Sequence, residues 1–284
     1  MAQQTSLASK TSSEVVLLRP SRGWIPLNLH ELWLFRELIY FLTWRDIKVR
    51  YKQTVLGAAW AILQPLINMV VLSFIFGNLA KLSTDNIPRP IFTFTALLPW
   101  GLFSKALADA GRSMLANRSM ITKVYFPRLI IPLSSVLGGL VDFVIQFAIL
   151  LGMMLYYRIT PTSALWSLPF FVLLSLATAF GFGLWLSALN VLYRDVGYIL
   201  PFLTQIWMLV TPVAYSAKVV PAEYQFLYAL NPMVGVVEGF RWALLGARPP
   251  DALTLAVSTV ISVIVLISGM YYFRRMERTF ADMV

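Results

Sequence analysis

The stretch WRDIKVRYKQTVLGAAWAILQPL, residues 44–66, changes character halfway along. Its first nine residues carry five charges, and from Thr54 to Leu66 there is none. A dense basic segment set directly against a long apolar one marks a chain entering a bilayer from the cytoplasmic side, where Lys and Arg collect. Gln64 and Pro65, inside the apolar half, need a separate reason.

Composition agrees with the membrane reading. Of the 284 residues 58% are hydrophobic and 13% charged, more apolar surface than a soluble domain of this size could bury. The formal net charge of +10 raises the question of nucleic acid, but the basic residues sit at the ends of apolar blocks rather than in one patch. The chain has no cysteine, which excludes disulfides, thiol catalysis and cysteine–metal sites. Its single histidine, His30, cannot build a multi-histidine metal site and reads as a solvated loop residue. The N-terminal segment lacks the apolar core of a signal peptide and reads as an uncleaved, mobile cytoplasmic tail over 1–30.

At about 20 apolar residues per crossing, six spans are predicted: Thr54–Ala80, Ile91–Ala110, Leu129–Tyr157, Leu165–Leu192, Tyr198–Tyr215 and Leu253–Phe273. Basic residues crowd the segment before the first span, the joint between the second and third (Arg112, Arg118, Lys123, Arg128) and the C-terminal YYFRRMERTF. Six crossings put all three, and both termini, in the cytoplasm. Pro221–Gly246 is apolar enough to suggest a seventh crossing. Asn231-Pro232 breaks it, Glu238 and Arg241 lie three apart in its second half, and a seventh crossing would move the basic tail outside. Two short re-entrant helices dipping into the outer leaflet fit better, provided the broken backbone is buried in protein. Residues 31–53 are expected to form an interfacial helix along the cytoplasmic surface, with two charged ridges and aromatic Trp33, Phe35, Tyr40, Phe41 and Trp44.

No Gly-Lys dipeptide occurs, so the chain has no P-loop of its own. The predicted spans hold two carboxylates, Asp109 near an end and Asp142 near a middle, fewer ionisable groups than proton-coupled carriers use. Asp142 reads either as a coupling or substrate group, or as a buried carboxylate tied to Ser134, Ser135 or a basic group elsewhere in the bundle. The joint GRSMLANRSMITKVYFPR, 111–128, is short and basic yet carries Met114, Leu115, Met120, Ile121, Val124, Tyr125 and Phe126. Two readings stand: a small helix docking into a groove of another protein, or a helix resting on the bilayer.

Four segments in order, WRDIKVRYKQTVLGAAWAILQPLINMVVLSFIFGNL, ALLPWGLFSKAL, LNVLYRDVGYILPFLTQIWMLVTPVAYS and YALNPMVGVVEGFRWALL, resemble the permease subunits of ABC exporters for cell-surface polysaccharides. These are the Wzm-like O-antigen exporters, with teichoic acid and capsule relatives. The resemblance covers roughly Leu32 to Arg278 and implies an all-α, six-span permease domain over 54–278, with a cytoplasmic C-terminus over 279–284. It also implies a homodimer in the bacterial inner membrane, served by two copies of a separate ATP-binding subunit that carries ATP and Mg. No cofactor is expected on this chain. The implied substrate is a polysaccharide on undecaprenyl pyrophosphate, moved from cytoplasm to periplasm.

By the same resemblance, the coupling helix is residues 112–127, with Met120, Ile121, Lys123, Val124, Tyr125 and Phe126 as contacts to the ATPase. Spans one and five line the path, which assigns Trp60, Gln64 and Asn68, four residues apart and so on one face, together with Trp100, Gln205 and Trp207. Pro65 becomes a hinge in the first span. Arg50, Lys52 and Arg194 are the candidates for the pyrophosphate at the entrance. The re-entrant pair 221–246, with Asn231, Pro232, Glu238 and Arg241, is the periplasmic gate. The competing readings are an ABC permease for a small molecule or drug, and a membrane-embedded glycosyl or acyl transferase. The transferase would require a cluster of acid, base or metal-ligand residues that this sequence lacks.

Overall fold

The computed structural model describes residues 29–52, 57–193 and 195–283. The predicted tail (all but its last two residues), Arg194 and the start of the first predicted span lie outside them. The described residues are all-helical, with no strand among them. In chain order the helices are α1 Leu29–Leu34, α2 Arg36–Lys52, α3 Gly57–Ser73, α4 Arg89–Ala116, α5 Arg118–Ile121 and α6 Ile130–Tyr157. They continue with α7 Leu168–Leu192, α8 Val196–Val210, α9 Gln225–Ala229, α10 Pro232–Leu245 and α11 Ala252–Met283.

Among the described residues, five helical stretches are long and apolar enough to cross a membrane: Ala59–Leu79, Arg89–Ala116, Ile130–Tyr157, Ser163–Leu192 and Ala252–Glu277. The fifth predicted span is α8, and its 15 residues reach only about 22 Å of a hydrocarbon core about 30 Å thick. The ends follow local chemistry. Pro88 precedes α4 and Pro90 stands in its first turn, where a missing N–H costs nothing. Asn231 caps α10 through its side chain, Pro232 is the first helical residue, and Gly246 closes the helix at φ 68°.

α4 and α7 form the centre, with α6, α10 and α11 packed around them. Membrane helices gain nothing from hiding apolar surface from lipid, so close backbone approach has to hold them together. At the α7–α11 crossing a Cβ added to Gly269 would lie 2.4 Å from the Gly181 carbonyl oxygen, and one added to Gly181 would lie 2.7 Å from the Leu266 nitrogen. Thr178 and Ser262 share a 2.8 Å hydrogen bond across the same seam. By contrast, the most apolar window of the first span has no buried residue, and α8 buries only Leu200.

The helix expected over 31–53 turns at Phe35 and then runs beside α6. Thr43 Oγ1 reaches the Ser134 carbonyl at 3.4 Å, and Arg50 reaches Asp142. Seven residues of α2 thus keep pace with eight of α6, about 10–12 Å of parallel travel. The helix predicted over 112–127 is in fact the last turn of α4, a one-turn α5 and a non-helical connection. The break is at Asn117, whose side chain donates to the Ser113 carbonyl at 2.9 Å and accepts from Arg45 at 2.7 Å. These local bonds compete with continuation of the helix.

The glycine seam makes a prediction. Gly269→Leu should cost at least about 1–3 kcal/mol, the usual penalty for overpacking, because backbone stands where the side chain would go. Thermal melting of the detergent-solubilised protein would show it, and a melting temperature equal to wild type would disprove the close contact.

Candidate substrate cavity and its charged wall

A cavity of about 760 Å³ opens between α3, α4, α6 and α8, and the end of α2 contributes to its wall. Trp60, Gln64 and Asn68 all line it, as their four-residue spacing requires of one helical face. Pro65 stands between them, and Trp100 enters from α4. Four of the six residues assigned to the path therefore meet in one space. Gln205 is exposed outside its wall. Trp207 points the other way. Its ring packs edge-on against Phe103 and Phe182, at 4.9 and 5.0 Å, and its indole N–H donates to Asn231 Oδ1 at 2.9 Å. α8 instead turns Pro201, Thr204 and Met208 to the cavity.

One end of the cavity is charged. Asp142 is 5% exposed; it accepts from Arg50 at 2.9 Å and from the Tyr51 hydroxyl, and pairs with the Lys105 ammonium at 3.1 Å. The second nitrogen of Arg50 reaches Asp109 at 2.9 Å. The buried carboxylate is thus tied to basic groups of the bundle, and Arg50 joins α2 to both α4 and α6. Lys105 went unnoticed in the sequence because a single lysine in a long apolar window scarcely lowers its hydropathy. The signal that points to it is spacing, since Lys105 and Asp109 are four apart on α4 and share a face. Lys52 is exposed at the end of α2; Arg194 is outside the described residues.

Asn231 links the start of α10 to α8 and to the residue at its end. Its oxygen caps α10 by accepting from Met233 N and takes the Trp207 indole, while its nitrogen donates to Thr211 at 2.9 Å. Pro232, next to it, is buried at the helix start. Arg241 is 3% exposed and lies over the Phe92 ring at 3.6 Å. It donates to the carbonyls of Val213 at 2.7 Å, Tyr215 at 3.1 Å and Phe92 at 3.4 Å. Glu238 lines a second cavity of about 390 Å³ with Asp85, Lys218 and Tyr228. Lys218 closes on Asp85 at 2.8 Å there, joining the α3–α4 loop to the segment after α8. Tyr228 donates to Tyr215 at 3.2 Å. Asn231 and Arg241 thus both hold the segment that follows α8, at Thr211 and at Val213 and Tyr215.

The connection after α4 divides its six candidate contacts. Ile121 and Phe126 are buried in this chain's own core, and Met120 is half-buried against it. Lys123, Val124 and Tyr125 project outward, with Val124 57% and Tyr125 75% exposed. At the same end Arg274 joins Glu277 at 3.0 Å and Glu31 at 3.4 Å. That fastens the last helix to α1.

Arg241→Met should destabilise the fold by about 3 kcal/mol or more, because each buried carbonyl left without a donor costs about 1–3 kcal/mol. Arg241→Lys should recover only part, since an ammonium cannot reproduce the guanidinium fork. Equal melting temperatures for Arg241→Met and wild type would show that the three bonds contribute nothing.

Residues 37–245 match the family model described as ABC-2 type transporter. The chain is 31% identical over 259 residues to the O-antigen export system permease protein RfbA of Myxococcus xanthus, covering 90% of this chain and 98% of that protein. It is 26% identical over 250 residues to a protein of the same name from Klebsiella pneumoniae, covering 87% and 95%. It is 25% identical over 244 residues to the polysialic acid transport protein KpsM of Escherichia coli, covering 82% and 91%. The matched region runs from the charged helix that carries Arg50 to the end of the Arg241 helix, and with it the chain belongs to the ABC-2 type transporter family of membrane permeases.

Proposed function

We propose that this chain is the membrane half of an ATP-driven exporter that moves a lipid-linked cell-surface polysaccharide from cytoplasm to periplasm. The observation that carries the reading is the cavity, which gathers Trp60, Trp100, Gln64 and Asn68 beside a cationic end. Indole faces give a sugar ring an apolar platform and amides serve its hydroxyls, without the deep fixed pocket of a small-molecule site. The relatives' names, O-antigen export and polysialic acid transport, support the same substrate class. The carrier is an undecaprenyl pyrophosphate, with Arg50, Lys52 and Arg194 toward its entry.

Two copies complete the path, meeting across α3 and α8. Both helices are apolar and leave their surfaces uncovered in the single chain. α8 is the short fifth of six crossings, extended by the segment through Tyr215. α9 and α10 dip into the outer leaflet and return, which keeps both termini cytoplasmic, and the protein resides in the bacterial inner membrane. A separate ATP-binding subunit holds ATP and Mg. Its contact on this chain is the connection after α4, where Val124 and Tyr125 stand exposed while Ile121 and Phe126 anchor them.

Cells lacking the chain should accumulate lipid-linked polysaccharide in the cytoplasm and lose it from the surface, with wild type restoring both; unchanged surface polymer would end the reading. In the purified complex, Val124→Asp combined with Tyr125→Asp should lower ATPase activity about tenfold, the effect of losing roughly 1.4 kcal/mol of docking energy. Activity equal to wild type would remove these residues from the contact.

A further inference from the structure

The charges around the larger cavity are distributed unevenly. Arg50, Lys105 and Arg112 border it, against a single carboxylate, Asp142. The Asp142 side chain is only 6% exposed, whereas Lys105 keeps 35% and Arg50 27%. Asp109, the other carboxylate on Arg50, is not part of the wall. The cavity therefore presents cations to whatever enters and keeps its anion behind them. Lys105 projects from α4 one turn below Gly101 and Trp100, so the charged end is continuous with the aromatic part of the cavity.

We propose that Lys105, together with Arg50 and Arg112, forms an anion-binding site for a phosphate or diphosphate group inside this cavity, with Asp142 as the resident counter-ion against which the ligand competes. The proposal rests on the export reading for the diphosphate's origin, but its cationic wall stands independently of that reading. Phosphate oxygens offer more acceptor sites than the one buried carboxylate, and each charge-assisted bond is shorter and stronger than a neutral one. Between protein walls the attraction is also less screened than at an open surface. Binding shifts Lys105 and Arg50 from Asp142 toward the ligand. That loosens the ties that hold α2 beside α4 and α6, so occupancy of the site changes how firmly the cavity wall is fixed.

The test uses the permease assembled with its ATP-binding partner in zwitterionic nanodiscs, with the nucleotide sites filled by a non-hydrolysable ATP analogue. Inorganic pyrophosphate and a short-chain polyprenyl diphosphate serve as separate probes, followed by intrinsic tryptophan fluorescence, since Trp60 and Trp100 line the space. Lys105→Ala should raise Kd about tenfold or more for both probes, the consequence of losing one bond to a charged group, and Lys105→Arg should restore most of it. Asp142→Asn should lower Kd, because the competing charge is gone. If that variant does not assemble, Asp109→Asn, which also releases Arg50, should lower Kd in its place. Tighter binding of the polyprenyl compound identifies a lipid-borne diphosphate, and equal binding identifies the free anion; either supports the site. Unchanged affinity in Lys105→Ala, or weaker binding when a carboxylate is neutralised, overturns it. Intact polysaccharide export by wild-type cells alongside absent anion binding would remove this site alone. Unaltered surface polymer on deletion, with Lys105-dependent binding preserved, would remove the export reading alone.

Discussion

A carboxylate carried about three turns into a membrane helix costs several kcal/mol unless protein neutralises it, and Asp142 is the place where this chain meets that demand. The answer involves three helices. α6 supplies the charge, α4 supplies Lys105, and α2 supplies Arg50 and Tyr51. Because Arg50 also holds Asp109, the end of α2 cannot be withdrawn without leaving two carboxylates short of a partner. Breaking a buried pair costs about 3–5 kcal/mol. That explains why a helix with so many charges packs beside α6.

The same cluster positions the cavity. Fixing α2 against α4 and α6 sets where the chain re-emerges as α3, and hence where Trp60, Gln64 and Asn68 stand. α3 itself is held lightly, since it buries none of its apolar window and has a widened π-helical turn over Phe74–Leu79 that seats Gly77 on the Arg89 side chain. The rigid part lies behind it, in α4, α7 and α11, where glycines bring backbones into contact. A closely packed core is thus faced by a lightly held helix, and Pro65 lies at the middle of that helix.

What the sequence disclosed follows the physics of each signal. Five of the spans read from apolar length fall on helices long enough to cross a membrane, the fifth in order falls on the shorter α8, and the break at Asn231-Pro232 falls where α10 starts, because cap and proline chemistry act locally. The shared face of Trp60, Gln64 and Asn68 was legible for the same reason: periodicity within one helix needs no knowledge of its neighbours. The direction of Trp207 is not legible in the sequence, because it is set by Asn231, 24 residues away, and by Phe103 and Phe182 on other helices. Lys105 stayed hidden because its partner lies on a different helix. The one-turn α5 was overextended because apolar residues such as Ile121 and Phe126 read as one docking face, whereas they pack inward.

α8 gives the two ends of the molecule a mechanical connection. One side of it presents Pro201, Thr204 and Met208 to the cavity, and the other carries Trp207, hydrogen-bonded to the residue that caps α10. Thr211, where α8 ends, is held by that same asparagine, and the carbonyls of Val213 and Tyr215 just beyond are held by Arg241. A ligand that displaces the cavity face of α8 therefore pulls on bonds that hold the α10 body, while α8 itself, burying only Leu200, offers little resistance to moving. Packed interiors switch between arrangements rather than bend continuously. The side chains that join α8 and the segment after it to α10 are therefore Asn231 and Arg241, not those on the exposed faces of α8.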